Sequence, residues 1–162
     1  MPFALASPFR APLLGLLAAL TLTRAAIADD DEHAPRAPLL PKYQQECAAC
    51  HSAYPPGMLP AASWQRLMNR LSTHFGVDAS LDPKAASEIS NWLGRYAGTS
   101  KGAQQAPFDD RITRSAWFAR KHREVSAATW KLPAVKSAAN CAACHIRSDQ
   151  GDFNEHCVRI PR

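Results

Sequence analysis

The chain has 162 residues, 46% of them hydrophobic and 20% charged, with a formal net charge of +5. That length allows one small domain, or two very small lobes sharing a core, and leaves little room for an additional substrate pocket. The basic residues lack aromatic interleaving, which argues against nucleic acid as a partner.

In chain order, Arg10 precedes an uncharged Leu- and Ala-rich run, Ala11–Thr23, and then Ala26-Ile27-Ala28. A basic start, a short apolar run and an A-x-A site predict a signal peptide over 1–28, cleaved after Ala28, and hence an exported protein. The run is shorter than the roughly 20 apolar residues a bilayer span needs, and Arg24 closes it. Cleavage removes Arg10 and Arg24 and no acids, lowering the formal +5 by two, to +3. The mature chain opens with Asp29-Asp30-Asp31-Glu32-His33 and then Pro35, Pro38 and Pro41, a flexible lead over 29–42 in which His33 is a surface residue.

A short helix over Tyr43–His51 presents the string Cys47-Ala48-Ala49-Cys50-His51, which returns as Cys141-Ala142-Ala143-Cys144-His145. Cys-x-x-Cys-His is the c-type haem attachment signature. Each thiol adds to one vinyl group of the porphyrin, and two intervening residues put both sulfurs on one edge of it. The adjoining imidazole then meets the iron. A four-cysteine zinc site usually separates its pairs by about 15–20 residues, and these pairs lie in opposite thirds of the chain. A thioredoxin-like pair would need a strand–helix alternation that neither copy has. Two covalent haems are therefore expected, and covalent attachment suits an exported protein.

Pro55-Pro56-Gly57 and Pro60 break the first helix into a loop. From Ala61, the residues Trp64, Leu67, Met68, Leu71 and Phe75 recur at helical steps, and His74 shares their face. An imidazole aimed at a core needs a partner, and an iron without a sixth ligand is near in sequence, so His74 is the first distal-ligand candidate. Asp82 as N-cap, Pro83 in the first turn and Gly98 past the end bound another helix, whose face Ile89, Trp92, Leu93 and Tyr96 reads as packing. Thr99–Pro107 reads as the loop between an N-terminal haem lobe, 43–100, and a C-terminal one, 101–162.

Arg111, Arg114, Arg120, Lys121 and Arg123 form a basic cluster, read as a solvated helix face with haem propionates as partners; the alternative is a docking patch for an acidic redox protein. A helix from about Ser115 aligns Trp117, Phe118, His122 and Val125, making His122 the second distal candidate. Pro133 precedes a predicted Ser137–Ala143 helix that presents the second motif. Cys157 is a spare thiol beside His156 in the tail, read as buried or free, with pairing between molecules as the alternative.

Methionine is the competing sixth ligand. Met58 lies in a proline-rich loop only seven residues after His51, Met68 shares the packing face of Leu67, and no methionine follows it. The simplest assignment pairs His51 with His74 and His145 with His122, with His156 in reserve. Spacing also permits a crossed arrangement. Two imidazoles favour ferric iron, placing the potentials low in the range of roughly 0.8 V that axial ligands span.

The segment Cys47–His51 running into Ala53-Tyr54-Pro55-Pro56-Gly57-Met58-Leu59-Pro60, then Ser63-Trp64 and His74-Phe75-Gly76, resembles the dihaem cytochrome c family of proteobacteria. Arg111-Ile112-Thr113, Trp117-Phe118, His122-Arg123-Glu124, Pro133-Ala134-Val135-Lys136, the second motif, Gly151-Asp152-Phe153 and Val158-Arg159-Ile160-Pro161 extend the likeness over nearly all of the mature chain. The resemblance implies a mainly α, periplasmic electron carrier with two bis-histidine c haems, His74 and His122 being distal ligands. It also implies a redox partner such as an oxygen-binding monohaem cytochrome c or a membrane cytochrome b. The alternative function is a haem enzyme or gas binder, peroxidase-like, with one open iron. A peroxidase needs proton-moving groups at that iron, and the histidines here are better used as ligands.

Overall fold

The computed structural model describes Met1 and residues 37–162. The predicted signal peptide, His33 and most of the predicted lead lie outside the described residues. The architecture is the mainly α one expected: six helices and a series of 3-10 turns, with no strand among the described residues.

Helix α1 spans Pro41–Cys47, with proline in its first turn where the missing N–H costs nothing. It starts inside the predicted lead and stops at the first motif cysteine, short of the expected His51. Helix α2 (Ala61–Met68) and helix α3 (Pro83–Arg95) form the main packed pair. Asp82 caps α3 as expected, its carboxylate accepting from the Lys84 and Ala85 amides at 3.0 Å each. The buried stripe of α3 is Ala85, Ile89 and Leu93, four residues apart. It meets Tyr43, Leu59, Trp64 and Leu67 in one apolar core. Trp92 stays at the rim, against the Tyr43 ring at 4.9 Å.

Gly98 does not cap α3, which ends at Arg95. Its amide donates to the Leu59 carbonyl at 2.8 Å. A Cβ there would overlap the Gly57 carbonyl oxygen and the Ala103 side chain, so close backbone approach is what requires glycine.

Beyond it the elements are short. Helix α4 (Lys101–Gln104), capped by Ser100, occupies part of the predicted Thr99–Pro107 loop. Helices α5 (Ala116–Lys121) and α6 (Ala127–Trp130) are capped by the hydroxyls of Ser115 and Ser126. The expected Ser137–Ala143 helix is only one 3-10 turn, Cys141–Ala143. Lys136 adopts a left-handed φ of 63°, and the Asn140 side chain donates to the Val135 carbonyl at 3.0 Å, folding this stretch back on itself. Buried apolar side chains are correspondingly few, chiefly Phe118 and Val135.

The two halves of the chain touch where the motifs lie. Gln44 Nε2 donates to the Asp149 carbonyl at 2.5 Å, and the Ser52 hydroxyl to Ser148 Oγ at 3.3 Å. The Tyr54 hydroxyl donates to the Ala139 carbonyl at 3.2 Å. Arg66 on α2 forks onto Asp110, whose side chain is buried.

Candidate haem centres

His51 lies just beyond the first cysteine pair, and His74 follows the 3-10 turn Leu71–Thr73. The helix predicted through His74 ends at Met68; His74 instead opens a tight turn, bridging to Val77, with Phe75 at φ 50° and Gly76 at φ 98°. The two rings nevertheless face each other, with centroids 6.2 Å apart and planes inclined by 25°. His122 caps the C-terminal end of α5, one residue past its last turn, and faces His145 at 6.1 Å and 68°. The second ring pair thus repeats the spacing of the first without its coplanarity.

That spacing has a chemical meaning. Two imidazoles on one iron, with metal–nitrogen bonds of about 2.0–2.1 Å and about 1.1 Å from nitrogen to ring centre, have centroids about 6.2–6.4 Å apart. Both observed pairs agree with this to about 0.3 Å. Burial, followed by the nearby His51 and Arg111, lowers the pKa of His74; burial and then His122 lower that of His145.

One nitrogen in each pair is fixed by the backbone. His51 Nδ1 lies 2.8 Å from the Ser52 carbonyl, and His122 Nδ1 lies 2.9 Å from the Phe118 carbonyl. A protonated Nδ1 donating to those oxygens leaves Nε2 as the free donor atom. The buried Nδ1 atoms of His74 and His145 have no partner among the described residues. His145 is held by its neighbours instead: it bridges to Val158, and the Arg159 amide donates to the Cys144 carbonyl at 2.8 Å. The tail thereby straps the second motif.

A cavity of about 560 Å³ surrounds the second pair, lined among others by Trp117, Phe118, Val135, Cys141, Cys144 and Phe153. Val125, expected beside His122, lines it too although it lies beyond α5. Burial raises the Cys141 and Cys144 thiols, and pushes Cys47 up to about 11 with help from Glu46. At the first pair a smaller cleft of about 120 Å³ opens beside His74, lined by Leu67, Arg70, Thr73, Phe75, Asp109 and Arg111. The paired rings, the flanking cysteines and a cavity that is mostly apolar all fit covalently attached haem.

The reserve residues stay apart. His156 is exposed in the 3-10 turn Glu155–Cys157, and the Cys157 thiol is half-buried and free. Met68 packs on the first core. The basic cluster is not one helix face. Arg111 and Arg114 precede α5 and lie over the rings of Phe75 and Phe108, at 4.1 and 5.1 Å. Only Arg120 and Lys121 are within the helix.

Two contributors were not among the expected haem-site residues, although both stand in the segment Ala53–Pro60 that carries the family likeness. Met58, set aside as awkward for its own haem, lines the cavity of the second pair from the first half of the chain. Tyr54 stacks on His51 at 4.9 Å and 20°, and its hydroxyl lies close enough to the Cys141 thiol for that group to shift it. Burial, then Cys141, pushes that hydroxyl up to about 12. Periodicity cannot reveal a contact between residues 87 positions apart.

The dihaem cytochrome c family matches residues 43–153, taking in both motifs and all four paired histidines. The chain belongs to that family. It is similar to the solved dihaem cytochrome c of Shewanella baltica OS155, at 36% identity and a TM-score of 0.64, over 74% of this chain and 91% of that one. A dihaem cytochrome c from Rhodobacter sphaeroides is 40% identical, with a TM-score of 0.64, over 74% of this chain and 100% of that one. A second structure of the protein from that organism gives 39% and 0.58, over 72% and 98%. No curated protein matches. As a dihaem cytochrome c the chain carries two covalently bound haem c groups.

Proposed function

We propose that this dihaem cytochrome c is a periplasmic electron carrier, not an enzyme, whose two irons are each held by two histidines: His51 with His74, and His145 with His122. The observation that carries this reading is the ring spacing, 6.2 Å in one pair and 6.1 Å in the other. Haem c supplies a one-electron ferric–ferrous couple. The chain's part is to keep both faces of each iron occupied. The Ser52 and Phe118 carbonyls orient His51 and His122, and the Val158 strap steadies His145. Electron-rich imidazole pairs favour the ferric state, which sets both potentials low.

Export through the signal peptide 1–28 fits covalent haem and a spare thiol. No helix among the described residues is long and apolar enough to cross a membrane. The partners we expect are redox proteins, an oxygen-binding monohaem cytochrome c or a membrane cytochrome b. No nucleic acid and no small-molecule substrate are expected.

The test is the spin state of the purified ferric protein by optical and paramagnetic resonance spectra. Two low-spin haems without a methionine-to-iron charge-transfer band are expected. His74→Ala and His122→Ala should each convert one haem, and only one, to high spin. If both variants stay fully low-spin, the distal assignment fails.

A further inference from the structure

The two distal histidines are held very differently. His122 caps α5, its Nδ1 2.9 Å from the Phe118 carbonyl and its ring stacked on Phe118 at 4.0 Å and 23°, with Trp130 5.9 Å away. To leave the iron it must break a hydrogen bond and a ring stack. His74 has no such partner for Nδ1 among the described residues. It stands in a turn whose next two residues have left-handed φ, 50° at Phe75 and 98° at Gly76. Glycine accepts that conformation freely, but a phenylalanine there is strained and persists only because its surroundings hold it.

What holds it comes from the other half of the chain. The Arg111 guanidinium lies 4.1 Å over the Phe75 ring, and its Nε sits 3.4 Å from an Asp109 carboxylate oxygen. The Phe75 ring in turn lies 4.8 Å from His74. Beside these groups is the cleft of about 120 Å³, the room His74 would swing into and a small molecule would enter through.

We propose that the N-terminal haem is the ligand-accepting one: His74 is its displaceable ligand, and the Phe75–Arg111 stack is the latch that keeps His74 in place. The ligand class is a small uncharged diatomic that binds ferrous iron. His74 would leave the iron with its own lone pair and turn into the cleft, and the diatomic would supply a lone pair in its place, with no change of oxidation state. The C-terminal iron keeps His122 throughout. Phe75 and Arg111 are positioning residues, acting only through His74. This inference rests on the bis-histidine reading and goes beyond it.

The experiment is carbon monoxide uptake by the dithionite-reduced holoprotein, followed optically for stoichiometry and rate. Its reading is separate from the resting ferric spectrum, which tests the ligation itself. Uptake is expected at no more than one haem per chain. Arg111→Gln and Phe75→Leu should each raise the rate roughly 2- to 30-fold, the span that a cation–π contact covers. Phe75→Tyr, which keeps the ring, should behave as wild type. Arg114→Gln removes an equal charge from the stack on Phe108, and it too should leave uptake unchanged. His74→Ala should speed uptake at the same haem, and His122→Ala should add a second equivalent.

Uptake seen only in the two latch variants would still support the proposal, because it shows a latch that holds. Three results would overturn it: no uptake in wild type and both latch variants; uptake that begins at the haem His122 serves; or an Arg114→Gln effect equal to that of Arg111→Gln.

Discussion

The chain carries one five-residue string twice and supports each copy by different means. Around the first, protein packs on protein: α2 and α3 close over Tyr43, Leu59, Trp64 and Leu67, and the motif is an appendage of that core. Around the second, helices of four and six residues and single 3-10 turns surround a cavity of about 560 Å³. Isolated helices that short do not persist in water. A haem held in that cavity would supply the apolar body the second half lacks, with the chain there as its wrapping. Identical attachment chemistry tells nothing about how much fold a cofactor must supply.

The sharpest way to break this contrast is to withhold one haem at a time. Replacing Cys141 and Cys144 with alanine should leave the α2–α3 amides protected, while amides from about Ile112 to Val158 exchange roughly 100-fold faster or more. Replacing Cys47 and Cys50 should cost the first half far less protection. Hydrogen exchange read by mass spectrometry distinguishes the outcomes, and equal losses in both halves of either variant would refute the contrast.

Point substitutions sharpen it further. Ile89 is 0% exposed in the protein-built core, and Ile89→Ala should cost about 2–5 kcal/mol with both haem spectra unchanged. Val135, 1% exposed, borders the second cavity. Val135→Ala removes two methyl groups, about 1.6 kcal/mol of transfer free energy, and should perturb the spectrum of the second haem only. Paired thermal melts and absorption spectra check both. A spectral change in Ile89→Ala would mean that the first core is not independent of its haem.

The same contrast governs how far the sequence was legible. Motifs depend on adjacent residues, so the two attachment strings, the Asp82 cap and the Ile89–Leu93 stripe could be read directly. Arithmetic over residue types pairs the histidines that the structure brings face to face, but not the elements bearing them: periodicity carries the α2 helix on through His74, where the chain in fact turns through two left-handed residues. In the second half the error grew. A helix was expected over Ser137–Ala143, and one turn is present, because local pattern says little where the organising apolar surface is not polypeptide. Met58 at the second cavity, the Val158 strap and the Tyr54 hydrogen bond to the Ala139 carbonyl are long-range contacts, to which spacing rules are blind.

The smallest effect expected concerns the joint between the halves. Asp110 is 5% exposed; it accepts from Arg66 Nε at 2.9 Å and Nη2 at 2.5 Å, and Arg70 lies 3.7 Å away. The hydrogen bonds from Arg66 outweigh the opposing effect of burial and hold the carboxyl below its ordinary value of 3.8. A carboxylate depressed in the folded state stabilises fully above its unfolded pKa, and that contribution drains away as pH falls through the folded one. The window therefore opens below pH about 4. Asp110→Asn keeps the shape and tolerates the left-handed φ of 53° at this position, so it removes the charge without disturbing the backbone. Wild type should melt above this variant by a constant margin from pH 5 to 7, and the margin should close as the solution is acidified below pH about 4. A margin that persists unchanged in acid would assign the stabilisation to packing at the joint, and the ion pair would then serve only to set the register between Arg66 and the turn before α5.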